Sequence, residues 1–178
     1  MFWRFFRTRA TAPARDEAWW RAADAAADAP RPDEITQLRS SMRPDAPVDE
    51  AEQQEEMLDG LEQLVVLVEG NALPVLTTQH RVIGTDVCHL ALPATLSGEQ
   101  AVPGKLFLTS RRIVFAGGSA RSWPWHLVRG VARRDRTVIV HLAGGTHGVQ
   151  LDCNTFGDAL GVVHLSRRLA GRPGPPAP

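Results

Sequence analysis

A chain of 178 residues, 43% of them apolar, is long enough for one core of ordinary size or for a compact domain carrying helical extensions. No apolar run approaches the ~20 residues a membrane-spanning helix needs, and the densest patch, LEQLVVLVEG, is interrupted by charge. Formal net charge is zero, yet nine acidic and no Lys or Arg residues lie from Asp45 to His80, while eleven basic and three acidic residues run from Lys105 to the end. Such a split calls for an anionic partner of the basic half or for its neutralisation by the acidic half.

The opening MFWRFFRTRA lacks a following apolar run of about 7–15 residues and does not read as a secretory signal. Phe2, Trp3, Phe5 and Phe6 with Arg4 and Arg7 suit an interfacial anchor, or a terminus docked on the rest of the chain. Without an export signal the expected compartment is the cytoplasm, free in solution or peripheral to a membrane, with Cys88 and Cys153 as unpaired thiols. Residues 1–47 form a proline-interrupted helical extension. RDEAWWRAADAAADA (15–29) is alanine-rich and acidic in its first turn, and Pro30 and Pro32 stop it. Trp19 and Trp20 in such a helix require an apolar surface to dock on. DEITQLRSSM (33–42) is a second short helix that ends before Pro44.

Residues 48–71 make an acidic amphipathic helix. Met57, Leu61, Leu64 and Val68 recur at spacings of three and four and so share one face. That face either packs against the adjacent domain or serves as a partner surface.

From Pro74 the apolar period becomes two. PVLTTQHRVIG (74–84), DVCHLALPATL (86–96), KLFLTS (105–110), RRIVFAG (111–117) and ARSWPW (120–125) read as strands. The turn at Thr109–Arg112 is tight, Gly117-Gly118 makes the next, and Pro124 confines its strand to an edge or a bulge. HLVRGVARR (126–134) carries a bulge at Gly130, and TVIVHLAGGTHGVQLD (137–152) is a hairpin. The pattern is an antiparallel barrel or sandwich. NTFGDALGVVHLSRRLAG (154–171) then reads as a helix with a capping box from Thr155 to Asp158, anchored by Phe156, and RPGPPAP (172–178) as a disordered tail.

GKLFLTSRRIVFAGG resembles the G-x-L-F/Y-L/V-T-x-x-R-I/L-I/V-F hairpin of bacterial PH-like and GRAM-like domains, and WPWHLVRGV resembles the segment that follows it. The resemblance covers residues 74–171. It implies an α+β fold: a PH-like antiparallel split β-barrel of about seven strands, capped by a C-terminal helix and preceded by the α-helical extension. Domains of this kind bind anionic lipids in some cases and proteins in others.

Arg111, Arg112, Arg121, Arg129, Arg133, Arg134 and Arg136 are the candidate anion-binding residues, since a guanidinium fork fits phosphate. Consecutive placement of Arg111 and Arg112 points to two subclusters rather than one, and the solvated exterior of a barrel neutralised by the acidic helix is the preferred account of these charges. Arg121 and Arg129 fall on neighbouring segments that can meet. Trp123 and Trp125, on one side of their strand, join Met57, Leu61, Leu64 and Val68 as candidate partner-binding residues, or else pack inward. His80, His89, His126, His141, His147 and His164 show no metal-ligand spacing, and no nucleophile, phosphate-loop or dinucleotide motif occurs, so neither enzyme activity nor a cofactor is expected. Nucleic acid is not an expected partner, because no stacking aromatic array accompanies the arginines. The reading is a non-enzymatic binding or adaptor module for a protein partner or an anionic membrane surface. The alternative is an assembly module in which the acidic helix covers the basic barrel and which has no lipid function; a small-molecule-binding or enzymatic barrel is the third and least favoured reading. The sequence does not fix an oligomeric state.

Overall fold

A computed structural model describes residues 16–70, 72–78, 80–145 and 148–171. Three helices come first. α1 (Glu17–Ala26) is capped by Asp16, whose carboxylate accepts the Trp19 N–H at 3.0 Å. α2 (Pro32–Ser40) begins with proline at its first position, where the missing N–H costs nothing. α3 (Val48–Glu69) is the long acidic helix. Trp19 and Trp20 do find an apolar surface: both are buried, with Ile35, Leu38, Met57, Leu58 and Leu61, in one helical core. The Trp19 indole N–H donates to Leu38 O at 3.0 Å, so the buried polar atom is satisfied.

Seven antiparallel strands follow: β1 (Cys88–Leu96), β2 (Val102–Thr109), β3 (Arg112–Gly117), β4 (Ser119–Pro124), β5 (Val128–Arg134), β6 (Thr137–Leu142) and β7 (Val149–Cys153). Their order is β4-β3-β2-β1-β7-β6-β5, which leaves β4 and β5 as the two edges. Pro124 therefore sits where its missing N–H breaks no ladder. Gly118, at φ 59°, makes the β3–β4 turn in a conformation that favours glycine. The expected irregularity in β5 is present as a register shift between Val128 and Gly130. β1 and β7 pair only from Ala94 to Leu96, so the sheet is split beside the start of β1. There Leu76 bridges Cys88, and His89 Nδ1 donates to Pro74 O at 2.7 Å.

This arrangement is the PH-like split barrel with a capping helix, but residues 74–84 are not a strand as expected. They carry one bridge at Leu76 and a 3-10 turn over Arg81–Ile83. The reason is burial on both faces of the sheet. Leu106, Leu108, Ile113 and Phe115 point into the barrel core, whereas Phe107 and Val114 point outward, and Ile83 and Cys88 cover them in a small second core. A strand would have left Phe107 in water; the 3-10 turn folds Ile83 over it, and the His80 ring lies 4.9 Å from the Phe107 ring.

α4 (Phe156–Ala170) closes the fold, and Thr155 Oγ1 accepts the Asp158 N–H at 3.0 Å as the expected cap. The helix is apolar on two sides. Ala159, Val162, Leu165 and Leu169 enter the barrel core, while Phe156 and Leu160 enter the helical core. α3 lies against α4 at a glycine pair: a Cβ on Gly60 would stand 2.8 Å from Gly157 N. Met57, Leu61 and Leu64 are consequently buried inside the chain, and the partner surface expected of them is already occupied by α1, α2 and α4. Val68, at the far end of α3, is exposed.

Candidate docking surface

The seven candidate arginines divide by what holds them. Arg112 belongs to the fold. Its Nε donates to Asp86 Oδ2 at 2.9 Å, and its Nη2 reaches Val82 O and Ile83 O at 3.4 Å. The Asp86 side chain is only 6% exposed, and Thr109 Oγ1 lies 3.4 Å from it. Thr109, fully buried, in turn takes the Arg112 N–H at 3.1 Å and donates to Arg112 O at 2.8 Å, which fixes the β2–β3 turn. Arg112 thus ties the 3-10 turn over the outer core and is not a free ligand-binding group. Arg112→Ala is expected to lower unfolding free energy by about 2–3 kcal/mol, the range for a hydrogen bond to a charged group left unpartnered. Arg121→Ala should stay within about 0.5 kcal/mol, as surface changes do. Equal urea midpoints for the two variants would contradict this division.

Arg133 and Arg136, near the β5–β6 turn, are taken up by the helices. Arg133 pairs with Asp24 of α1, and Arg136 with Glu56 of α3. Arg136 also lies 5.0 Å over the Phe156 ring, a cation–π contact. Glu56 spends its other oxygen on the Phe156 N–H at 2.8 Å, placing negative charge at the N-terminus of α4, where the helix dipole favours it. Arg167 of α4 pairs with Asp28 just beyond α1 at 3.0 Å. The acidic helix does not lie over the sheet as a cover. It packs on α4 and reaches the barrel through Glu56.

Arg121, Arg129 and Arg134 are exposed, and among the described residues no ion pair engages them. Arg121 and Arg129 do not lie on paired strands: β4 and β5 are opposite edges of the sheet, joined by a 3-10 turn over Trp125–Leu127. Trp125 is in that turn rather than in the strand. It is buried, and its indole N–H donates to Thr109 O at 2.8 Å, so it anchors the corner instead of facing a partner. Trp123 is half-buried against the barrel core.

Sequence periodicity gave no sign of a cluster at the β2–β3 end. Three main-chain bonds set four segments side by side there: Leu76 N to Cys88 O at 2.9 Å, Ser110 N to Val87 O at 2.8 Å and Trp125 N to Arg111 O at 3.2 Å. Val75, Leu76, Val87 and Leu127 are exposed to 70, 40, 44 and 41% on these segments. Arg111 is half-exposed beside them, its Nε 3.8 Å from Asp86, and Arg81 projects from the adjoining 3-10 turn. Arg129 follows two residues after Leu127. The β2–β3 end thus carries four exposed apolar residues together with Arg81 and Arg111, beside one carboxylate whose side chain is buried.

The two thiols are unpaired and buried, and burial pushes Cys153 up to about 12, which removes it as a nucleophile. Among the described residues no three His, Cys, Asp or Glu side chains converge as a metal site, and no helix is long and apolar enough to cross a membrane. The aromatic segment MFWRFFR, His147 and the tail from 172 lie outside the described residues.

No protein-family model matches the chain, and no curated protein does. Solved structures resemble it at low identity. One is the C-terminal domain of an unknown protein from Leishmania infantum, at 9% identity and TM-score 0.42, over 49% of this chain and 88% of that one. A second is the DH/PH domain of human ARHGEF11 in a ternary complex with human RhoA and its inhibitor, at 12% and 0.42, over 86% of this chain and 53% of that one. A third is the FERM and C-terminal domain complex of Drosophila Merlin, at 11% and 0.41, over 88% and 57%. The chain spans little more than half the length of the last two.

Proposed function

We propose that this chain is a non-enzymatic binding module of PH-like type that docks on an anionic lipid surface through the β2–β3 end of its barrel. The observation that carries the reading is the meeting of Val75, Leu76, Val87 and Leu127 with Arg81 and Arg111 on one end of a rigid frame. Exposed apolar side chains enter the interfacial region of a bilayer, and guanidinium groups pair with headgroup phosphates. Arg129 extends the basic rim, whereas Arg121, opposite Phe115 within β4, stands back from that end. The half-buried Asp86–Arg112 pair holds the frame that presents them. A protein partner remains the other occupant of such a surface, while α1 and α3 hold Arg133, Arg136 and Arg167 through ion pairs on a different side of the molecule.

Co-sedimentation with phosphatidylcholine vesicles, with and without phosphatidylserine, tests the proposal. Binding should need the anionic lipid and weaken as salt rises. Arg81→Gln with Arg111→Gln should cost about 2 kcal/mol, roughly a thirtyfold loss, at ~1 kcal/mol per arginine near the surface. Val75→Asp with Val87→Asp should abolish binding without lowering stability. Absence of vesicle binding at low salt would reject the lipid reading.

A further inference from the structure

We infer that the groove between β5 and α4 is a binding site for an acidic peptide segment of a partner protein, and that the end of α1 holds the place of that peptide. The groove encloses about 290 Å³. Its floor is apolar, from Val131, Leu160 and Val163, and its polar groups are Arg133, Arg167 and His164. Asp24 and Asp28 form the remaining wall.

Three observations carry the assignment. First, Arg133 is only 10% exposed, yet its carboxylate partner Asp24 is 60% exposed, and the Asp28 partner of Arg167 is 73% exposed. Arg133 also donates to Asp135 O at 2.9 Å, which keeps the guanidinium in place, while its carboxylate partner lies at the surface, where an ion pair adds little and the anion can be exchanged. Second, Asp24 and Asp28 stand at the C-terminal end of α1, where the helix dipole disfavours acids and where α1 carries no basic residue. The helix itself gives no reason for them; Arg133 and Arg167 do. Third, His164 Nε2 is buried without a hydrogen-bond partner. Burial, then Arg168 and Arg167, lower its pKa, so the ring is an unfilled neutral donor or acceptor.

The shape selects the ligand class. β5 is an edge strand, and among the described residues no other strand pairs with its outer side. An extended segment can lie along such an edge while alternate side chains enter the groove. Acidic side chains would replace Asp24 and Asp28 on the two arginines, and apolar ones would cover Val131 and Val163. A flat bilayer cannot reach an arginine as deeply set as Arg133, so this surface is separate from the β2–β3 end.

The test uses the full chain and a fluorescein-labelled eight-residue peptide of alternating aspartate and valine, followed by fluorescence anisotropy. Asp24→Asn with Asp28→Asn vacates the arginines and should tighten binding about tenfold over the unaltered chain, the sum of two weak ion pairs no longer competing. Arg167→Gln, an exposed change that leaves the fold intact, should reverse most of that gain, and Arg133→Gln should abolish it. A lysine–valine peptide should not bind, and inorganic phosphate at millimolar concentration should not compete. Equal affinity with and without Asp24 and Asp28, or binding that survives Arg167→Gln unchanged, would overturn the assignment. Neither outcome depends on vesicle binding.

Discussion

Phe156→Ala is expected to be the most damaging single change in the chain, costing about 3–5 kcal/mol in urea or thermal unfolding. Phe156 is 3% exposed and sits where three interactions converge. Its ring lies 5.4 Å from the Trp20 ring, Arg136 stands over its face, and its N–H is the group that Glu56 accepts. Truncation removes a large buried ring from the helical core at the start of the helix that both cores share, and takes the Arg136 cation–π contact with it. Against a usual domain stability of about 5–15 kcal/mol, the loss takes up a large share of the whole. A midpoint shift no larger than that of Val66→Ala, an exposed position on α3, would show that the helical layer is not coupled to the barrel through this residue.

Gly60→Val is expected to cost about 1–3 kcal/mol or more through overpacking. An ordinary helix interior gains when glycine gives way to a side chain, by about 0.5–1 kcal/mol for alanine. Here the sign reverses. A Cβ at this position would meet Gly157 N at 2.8 Å and Gly157 Cα at 2.9 Å, and backbone cannot rotate aside as a side chain can. Valine adds two methyl groups to that clash and loses χ1 freedom in the helix. Gly161→Ala, on α4 with open space at its Cβ, is the control for a helical glycine without a close neighbour and should be neutral or stabilising. Destabilisation of Gly60→Val no greater than that of the control would rule out close helix packing as the cause.

Local pattern carried much of the architecture. The spacing of Met57, Leu61 and Leu64 showed that α3 had a face to bury, and Pro124 confined its strand to an edge or a bulge, of which the edge is found. Gly130 marked the bulge and Thr155 the start of α4. What was not legible depended on distant partners. The apolar residues of 74–84 alternate, yet the need to cover Phe107 and Val114 from outside overrides that alternation with a 3-10 turn. Arg112 looks like any surface arginine until Asp86 is placed 2.9 Å away. Glu56 reads as one more acid on a solvated face, but it caps a helix 100 residues further on. Trp125 follows the strand pattern, while its indole hydrogen bond draws it into a turn. At the candidate surface, Val75, Leu76, Val87 and Leu127 are far apart in sequence and share no periodicity; only the strand pairings bring them to one end.

The helix shared by the two cores also sets an order on biosynthesis. Glu56 and Phe156 are separated by 100 residues, so at a translation rate of about 5–20 residues per second the N-terminal helices leave the ribosome roughly 5–20 s before their keystone exists. Trp19, Trp20 and Leu61 spend that interval without their final cover, and a nascent chain at this stage is an obvious client for a holding chaperone.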